Sequence, residues 1–522
     1  MLFLIFNTTI LFLLSLLWSL HNLSFSIDLN YDVIFSVMLS LNFLVDKVSV
    51  ICSFMLICCS IIAVLFYWHY FSWHSDYLII LIQLFILSML YLVFTNSHIN
   101  SFIGWEYLGV VSYFLILYFS IYCSSRSAFI TLITSRLGDM GFFLFIGLML
   151  SDLEGNLAVL SVILFSFLLM SKSAVFPMGS WLLEAMRAPT PVSSLVHSST
   201  LVAAGVWLFS RYIDVFLSNY CVNLIFLFCL ITVIYSATSA YFFNDTKKII
   251  ALSTCNNVSW CFIYIYFGYV DLGLLQLLTH GIFKCILFCL IGDFLLNSSN
   301  SQNKSLHFFN FSYFFNFTIT LVSFFICGLP FLGVFFTKHF FVSLLNSSTN
   351  LIVTLILLVG LSLSFLYSFR LVSILNGSSN GSSNGFNNIY YIIGLPFPLL
   401  FFLNSWISSY LLEDSMPTLF LNLLSYFLII CFSIIGLFLN FSSSSKYILS
   451  FFGQDFIVND SMSIYSLFYS LFYWVSIFRW EQSSFFYFIS LSSYISTLSN
   501  SLNSLILFLS LYFSVILYLF IG

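Results

Sequence analysis

Charge is what this sequence has least of. Of its 522 residues only 6% are Asp, Glu, Lys or Arg, while 61% are apolar. A water-facing surface carries roughly 25–35% charged residues, so the composition excludes a soluble enzyme and leaves lipid as the main solvent. The 14 Lys and Arg are spread thinly, which excludes a basic patch for nucleic acid and a polybasic membrane anchor. Phosphate-cradling loops are missing as well. There is no G-x-G-x-x-G and no Walker loop, and the glycine-rich stretch Gly377 to Gly385 is a GSSN repeat. Twelve cysteines fall mostly inside apolar runs, and no pair has the C-x-x-C spacing of zinc or iron–sulfur sites. They read as small core residues. The expectation is a chain with no nucleotide, cofactor or metal site of its own. Met1 to Leu20 has neither an Arg-rich transit-peptide pattern nor a basic n-region with a cleavage site, and reads as a first spanning helix.

What is present is one apolar run after another. Segments of about 20 residues predict spans at 1–20, 47–70, 77–95, 98–121, 126–150, 157–176, 190–212, 221–243, 249–267 and 270–296. Two more fall within 311–345, and others at 351–375, 389–411, 418–441 and 503–521. The fold class is therefore an all-α polytopic membrane bundle of about 15 transmembrane helices, with 30–40 left for a short span or a surface segment. Asn297 to His307, Asn376 to Asn388 and Ser442 to Lys446 are the polar joints. The excess of Phe, Leu, Ile and Ser over Ala, Pro and Lys resembles coding from a thymine-rich genome, as in an organelle.

Proline is scarce, at seven, yet three lie between Pro177 and Pro191, and Pro330 sits between Gly328 and Gly333. Both places predict helix breaks, and Thr190–Pro191 reads as the cap and first turn of a restarted helix. In lipid a broken helix is tolerated where protein or a water-filled cavity satisfies the freed backbone, so breaks point to transport paths. A kink without a role is the plainer alternative.

Against this background a few charges stand inside apolar runs: Glu106, Arg136, Asp139, Lys172, Lys284 and Lys338. Each costs about 2.5–3.5 kcal/mol at mid-membrane, so each is expected to face the bundle interior and a partner or water. Static ion pairs gluing helices are one reading; a string of titratable groups for ion or proton transport is the other. Glu106 and Lys172 form a candidate pair of opposite sign. Arg136 and Asp139, three apart, either pair within their helix or leave Asp139 to tune Lys172. His280 and Lys284 share a helix face, where a neutral imidazole can pass protons; no second ligand is spaced for a metal. His197 sits beside Ser198, Ser199 and Thr200, whose hydroxyls suit a water chain or interhelical hydrogen bonds. Asp245, Lys247 and Lys248 fall between two spans, the usual place of a boundary anchor.

The run KSAVFPMGSWLLEAMRAPTPVSSLVHSSTLVAAGVWL, from Lys172 to Leu208, resembles the signature of the chain-5 family of antiporter-like subunits of mitochondrial NADH:ubiquinone oxidoreductase, respiratory complex I. FIGWEYLGVVSYFLI, SRLGDMGF, NDTKKIIALST, LTHGIFKCILF and GLPFLGVFFTKHF follow the same family in order, over most of residues 46–375. The family is similar to Mrp-type sodium/proton antiporters. The resemblance implies two inverted repeats with broken helices and a long lateral helix, and it divides the chain into N-terminal helices (1–95), an antiporter-like core (96–375), a loop with further helices (376–450), a lateral amphipathic helix (451–502) and an anchoring helix (503–522). It implies proton translocation through Glu106, Lys172, His280, Lys284 and Lys338, supported by Asp139, His197, Asp245 and Lys247. It further implies residence in the mitochondrial inner membrane among other complex I subunits and lipids such as cardiolipin, with NADH, FMN, iron–sulfur clusters and ubiquinone held by those partners. His339 departs from the pattern, standing where the family usually has an acid. A stand-alone cation/proton antiporter and a structural scaffold are the competing classes.

Overall fold

The computed structural model describes residues 25–29, 41–71, 76–149, 156–216, 222–297, 313–329, 332–348, 351–376 and 419–438, together with Ser463, Ser466, Leu467 and Ser470. The chain divides into two units, Met1–Leu449 and Ser450–Gly522. In the second, the described contacts are Ser466 and Ser470, each donating to the carbonyl three residues earlier. The expected spans 1–20, 389–411 and 503–521, the Ser442–Lys446 joint and nearly all of the expected lateral helix lie outside the described residues.

The first unit opens with a hairpin that window hydropathy misses. β1 (Phe25–Leu29) and β2 (Leu41–Val45) pair antiparallel, Phe25 opposite Val45 and Leu29 opposite Leu41. Their five-residue length is too short to register in a 20-residue window. Helices follow in chain order: α1 (Lys47–Phe71), α2 (Asp76–Phe94), α3 (His98–Leu117), α4 (Tyr122–Met149) and α5 (Asn156–Ser173). After the first break come α6 (Ser180–Ala185), α7 (Thr190–Leu195), a π turn at Val196–Thr200, and α8 (Leu201–Phe216). Next are α9 (Val222–Phe242), α10 (Thr246–Tyr266), α11 (Val270–Asn297), α12 (Tyr313–Cys327), α13 (Phe335–Ser348), α14 (Leu351–Asn376) and α15 (Leu419–Phe438). Nine described helical stretches are long and apolar enough to cross a bilayer, so the all-α polytopic class stands.

Local chemistry explains the boundaries. The α1 start is closed reciprocally: Ser49 N donates to Asp46 Oδ1 at 3.0 Å and Asp46 N donates to Ser49 Oγ at 2.8 Å. At the first break the cap is Pro189 rather than the expected Thr190, because the Pro189 carbonyl takes both the Val192 and Ser193 amides, at 3.0 and 2.9 Å. Pro191 then sits in the first turn, where its missing N–H costs nothing. At the second break Gly328 (φ +85°) and Gly333 (φ +49°) adopt left-handed backbone between α12 and α13; Pro330 itself lies outside the described residues.

The layering follows from burial. The central parts of the α7–α8 stretch and of α11 are enclosed, and that of α10 nearly so, whereas fewer than half of the central residues of α2 and α4 are buried. The outward side chains are apolar, among them Tyr77, Leu84, Leu87, Phe143 and Phe427, as lipid contact requires. An ion pair and a hydrogen bond join α1 to α11: Lys47–Asp271 at 2.8 Å and His69 Nε2–Asp293 Oδ1 at 3.0 Å. Of the cysteines, eight are buried as expected, but Cys123 is exposed at the start of α4.

Candidate functional site

Lys172 ends α5 and is fully enclosed. Its ammonium donates to the Trp105 carbonyl, lies 4.1 Å from the Trp105 ring centroid and stands 3.9 Å from Asp139 Oδ1. A cation over an indole face is attracted by the ring quadrupole, more strongly once desolvated. Asp139 is in turn 3.4 Å from Arg136, and Arg136 is paired with Glu106. Glu106 is therefore engaged by Arg136 rather than by Lys172, which corrects the pair expected from sequence. Asp139 is within ion-pair distance both of Arg136 on its own helix and of Lys172. The four residues form a row of alternating sign, from half-exposed Arg136 and Glu106 to the buried lysine.

Asp139 can come this close because of its neighbours on α4. A Cβ at Gly138 would overlap the Ser171 side chain, and one at Gly141 would stand 3.0 Å from the Leu164 carbonyl. Small residues let two membrane helices approach backbone to backbone, and here they bring α4 against α5 at the level of Lys172. Ser112, Thr131, Thr134, Ser135 and Ser171 line a small cavity beside Lys172, together with Ile116, Trp181 and Leu201.

His197 lies in the π turn, buried, with its ring 6.1 Å from that of Trp181. The hydroxyls beside it are bonded to carbonyls of their own helical stretch. Ser198 donates to the Ser194 carbonyl, while Ser199 and Thr200 donate to Leu195 O at 3.4 and 2.9 Å. These back-bonds serve carbonyls that the wide turn releases from the regular ladder. Lys247 is a cation whose field reaches His197. It is also buried in the first turn of α10, so it is no boundary anchor; its neighbour Lys248 takes that part, 3.6 Å from Asp245.

His280 and Lys284 lie on one face of α11, both buried. The Lys284 ammonium donates to Ile250 O at 3.2 Å and to the Ser253 hydroxyl on α10. Neither ring nitrogen of His280 has a hydrogen-bond partner among the described residues, and the cations that act on it are Lys284 and Lys338. Lys338, in the first turn of α13, donates to Cys327 O at 2.7 Å and to Ser364 Oγ at 2.8 Å. Its carbonyl acceptor is freed by the break after α12. His339 is half-buried, its ring 5.2 Å from that of Phe335.

Sequence reasoning missed several participants. Ser253 and Ser364 carry no signal, since serine is everywhere in this chain. Arg370 was legible as another charge in an apolar run; it is 2% exposed, donates to Asn244 Oδ1 at 2.9 Å and stacks 4.9 Å from the Tyr241 ring centroid. The His69–Asp293 pair joins residues 224 positions apart and has no local signature.

Buried lysines bonded to carbonyls, two of them beside helix breaks, inside an apolar bundle fit an antiporter-like membrane protein. The comparisons agree. Residues 95–366 match the family NADH:quinone oxidoreductase/Mrp antiporter, transmembrane, and the chain belongs to that family. It is 34% identical over 385 residues to NADH-ubiquinone oxidoreductase chain 5 of Anopheles gambiae, covering 69% of this chain and 65% of that relative. Against the same-named protein of Anopheles arabiensis it is 35% identical, covering 63% of this chain and 90% of the relative. Among solved structures, the Mrp complex from Dietzia sp. DQ12-45-1b matches with a TM-score of 0.72 at 17% identity, over 94% of this chain and 59% of that one. The membrane-bound sulfane sulfur reductase, an archaeal respiratory membrane complex, matches at 0.64 and 16%, over 78% and 88%. These two share the fold.

Proposed function

We propose that the chain is the proton-translocating, antiporter-like subunit of respiratory complex I in the mitochondrial inner membrane. It moves protons while other subunits pass electrons from NADH to ubiquinone. The observation that carries this reading is how Lys284 and Lys338 are held: each ammonium is bonded to a carbonyl and a hydroxyl, with no carboxylate within ion-pair distance among the described residues. A lysine so placed can lose its proton without stranding a buried anion, whereas a structural charge needs a fixed counterion. At Lys172, Asp139 stands between Arg136 and the ammonium. Movement of that carboxylate towards Lys172 favours the protonated amine and movement towards Arg136 releases the proton, a switch built from pair electrostatics.

In this reading Glu106, Lys172, His280, Lys284 and Lys338 are the transfer groups, and Asp139, His197, Asp245 and Lys247 the supporting polar path. NADH, FMN, iron–sulfur clusters and ubiquinone belong to partner subunits, and this chain supplies no redox centre. Neighbouring antiporter-like subunits and lipids such as cardiolipin cover its apolar flanks. The names of the chain-5 relatives and the family match support this assignment over a stand-alone antiporter. The test is Lys172→Ala in the NADH-oxidising particle reconstituted in vesicles. Fewer protons moved per NADH oxidised is the expected result; native pumping by the mutant would refute the role of this site.

A further inference from the structure

A run of buried hydrogen bonds leads from the Lys284 site to Thr337, the residue before Lys338. Lys284 donates to the Ser253 hydroxyl, and the Ser253 carbonyl accepts from Asn257 Nδ2 at 3.0 Å. Asn257 Oδ1 accepts from Gln276 Nε2 at 3.3 Å, and Gln276 Oε1 accepts from the hydroxyl of Thr337, the residue before Lys338. Every member is buried, and none of the atoms in this path is left without a partner. Gln276, His280 and Lys284 are successive i, i+4 positions on α11, so the amide stands one turn from the imidazole and two from the lysine.

We infer that Gln276 is a positioning residue for proton transfer, clamping α10, α11 and α13 together through Asn257 and Thr337 and so fixing where the Lys338 ammonium sits relative to Lys284. This rests on the proton-translocation reading above. Gln276 spends its donor on α10 and its acceptor on α13, so it has a defined orientation and cannot rotate without breaking both bonds. The position it holds is the first turn of α13, which follows the left-handed glycines of the second break. Apart from the clamp, that turn is held by the Lys338 ammonium on Cys327 O and Ser364 Oγ and by backbone bonds.

Thr337 also gives the clamp two settings. Its hydroxyl has one proton and two acceptors in reach, Gln276 Oε1 and, at 2.9 Å, the Val334 carbonyl of its own helix. Donation to Gln276 closes the bridge; donation to Val334 opens it while keeping the hydroxyl satisfied. A bistable element with both arrangements hydrogen-bonded is what coupling between two sites needs.

The test uses the intact NADH-oxidising assembly in vesicles, reading protons moved per NADH oxidised. Thr337→Val keeps the shape of the side chain and removes the donor; Gln276→Met keeps the length and removes both polar atoms. Each is expected to lose as much proton transport as Lys338→Ala, with NADH oxidation continuing, while Thr337→Ser is expected to retain it. Native transport in either assembled apolar variant overturns the clamp, and so does an equal loss in Thr337→Ser, which would make methyl packing the cause. If Lys338→Ala and Lys284→Ala themselves transport normally, the proton-translocation reading has failed instead, and the two failures are told apart.

Discussion

Asp139 is the residue on which the Lys172 end of the site turns. Two cations face it from different helices, and the carboxylate is almost fully buried while Arg136 is 40% exposed. Removing one partner of a buried pair costs roughly 3–5 kcal/mol, and Asp139 is the carboxylate that reaches the enclosed ammonium, whereas Glu106 acts on it only through Arg136. Asp139→Asn should therefore disfavour the protonated form of Lys172 far more than Glu106→Gln does. The expected outcome is proton pumping reduced at least about tenfold in Asp139→Asn and a milder loss in Glu106→Gln, measured by dye quenching in vesicles with NADH oxidation followed in parallel. Equal losses in the two variants would place the switch at Glu106. At this scale the sequence reveals the cations well, because a lysine in an apolar run is conspicuous on energetic grounds alone. It does not reveal their partners. Glu106 and Asp139 were both plausible neighbours of Lys172, and the choice was made by how closely α4 approaches α5.

That approach belongs to the element scale, and it depends on Gly138 and Gly141. Gly138→Leu should wedge α4 away from Ser171, separate Asp139 from Lys172 and reproduce the pumping defect of Asp139→Asn without touching any charge; cysteine cross-linking between α4 and α5 would report the separation. At the second break, a Cβ on Gly333 would stand 2.6 Å from the Phe325 carbonyl, on a backbone at φ +49°. Left-handed backbone costs an L-residue about 1–2 kcal/mol, and the clash adds to it, so Gly333→Ala should shift the start of α13 and lower proton transport together with the thermal stability of the assembly. Long apolar helices were legible because a period of 3.6 and a length near 20 residues are strong signals. Both breaks were legible from proline and glycine. The hairpin was too short for the window used. The π turn at Val196–Thr200 was invisible because its five-residue spacing is imposed by packing around His197, not by residues with a preference for it.

For the whole molecule, the outer helices turn Tyr77, Leu84, Leu87 and Phe143 outward, and neighbours that cover such faces are expected to come from lipid and from other subunits. Truncation before Asp455, removing the segment proposed as a lateral helix, should loosen the chain from its assembly and leave the bundle in the membrane fraction; native gels beside membrane blots would show both, and retention in the intact particle would rule out the tether. One feature of the bundle also bears on how it can move. His69 follows Lys47 on α1 by 22 positions, and Asp293 follows Asp271 on α11 by the same 22. At 1.5 Å per residue that is about 33 Å, close to the thickness of a bilayer's hydrocarbon core. The two helices are thus pinned near both ends. Sliding one by a single turn would break both contacts together, so α1 and α11 keep one register over a length close to that of the bilayer core.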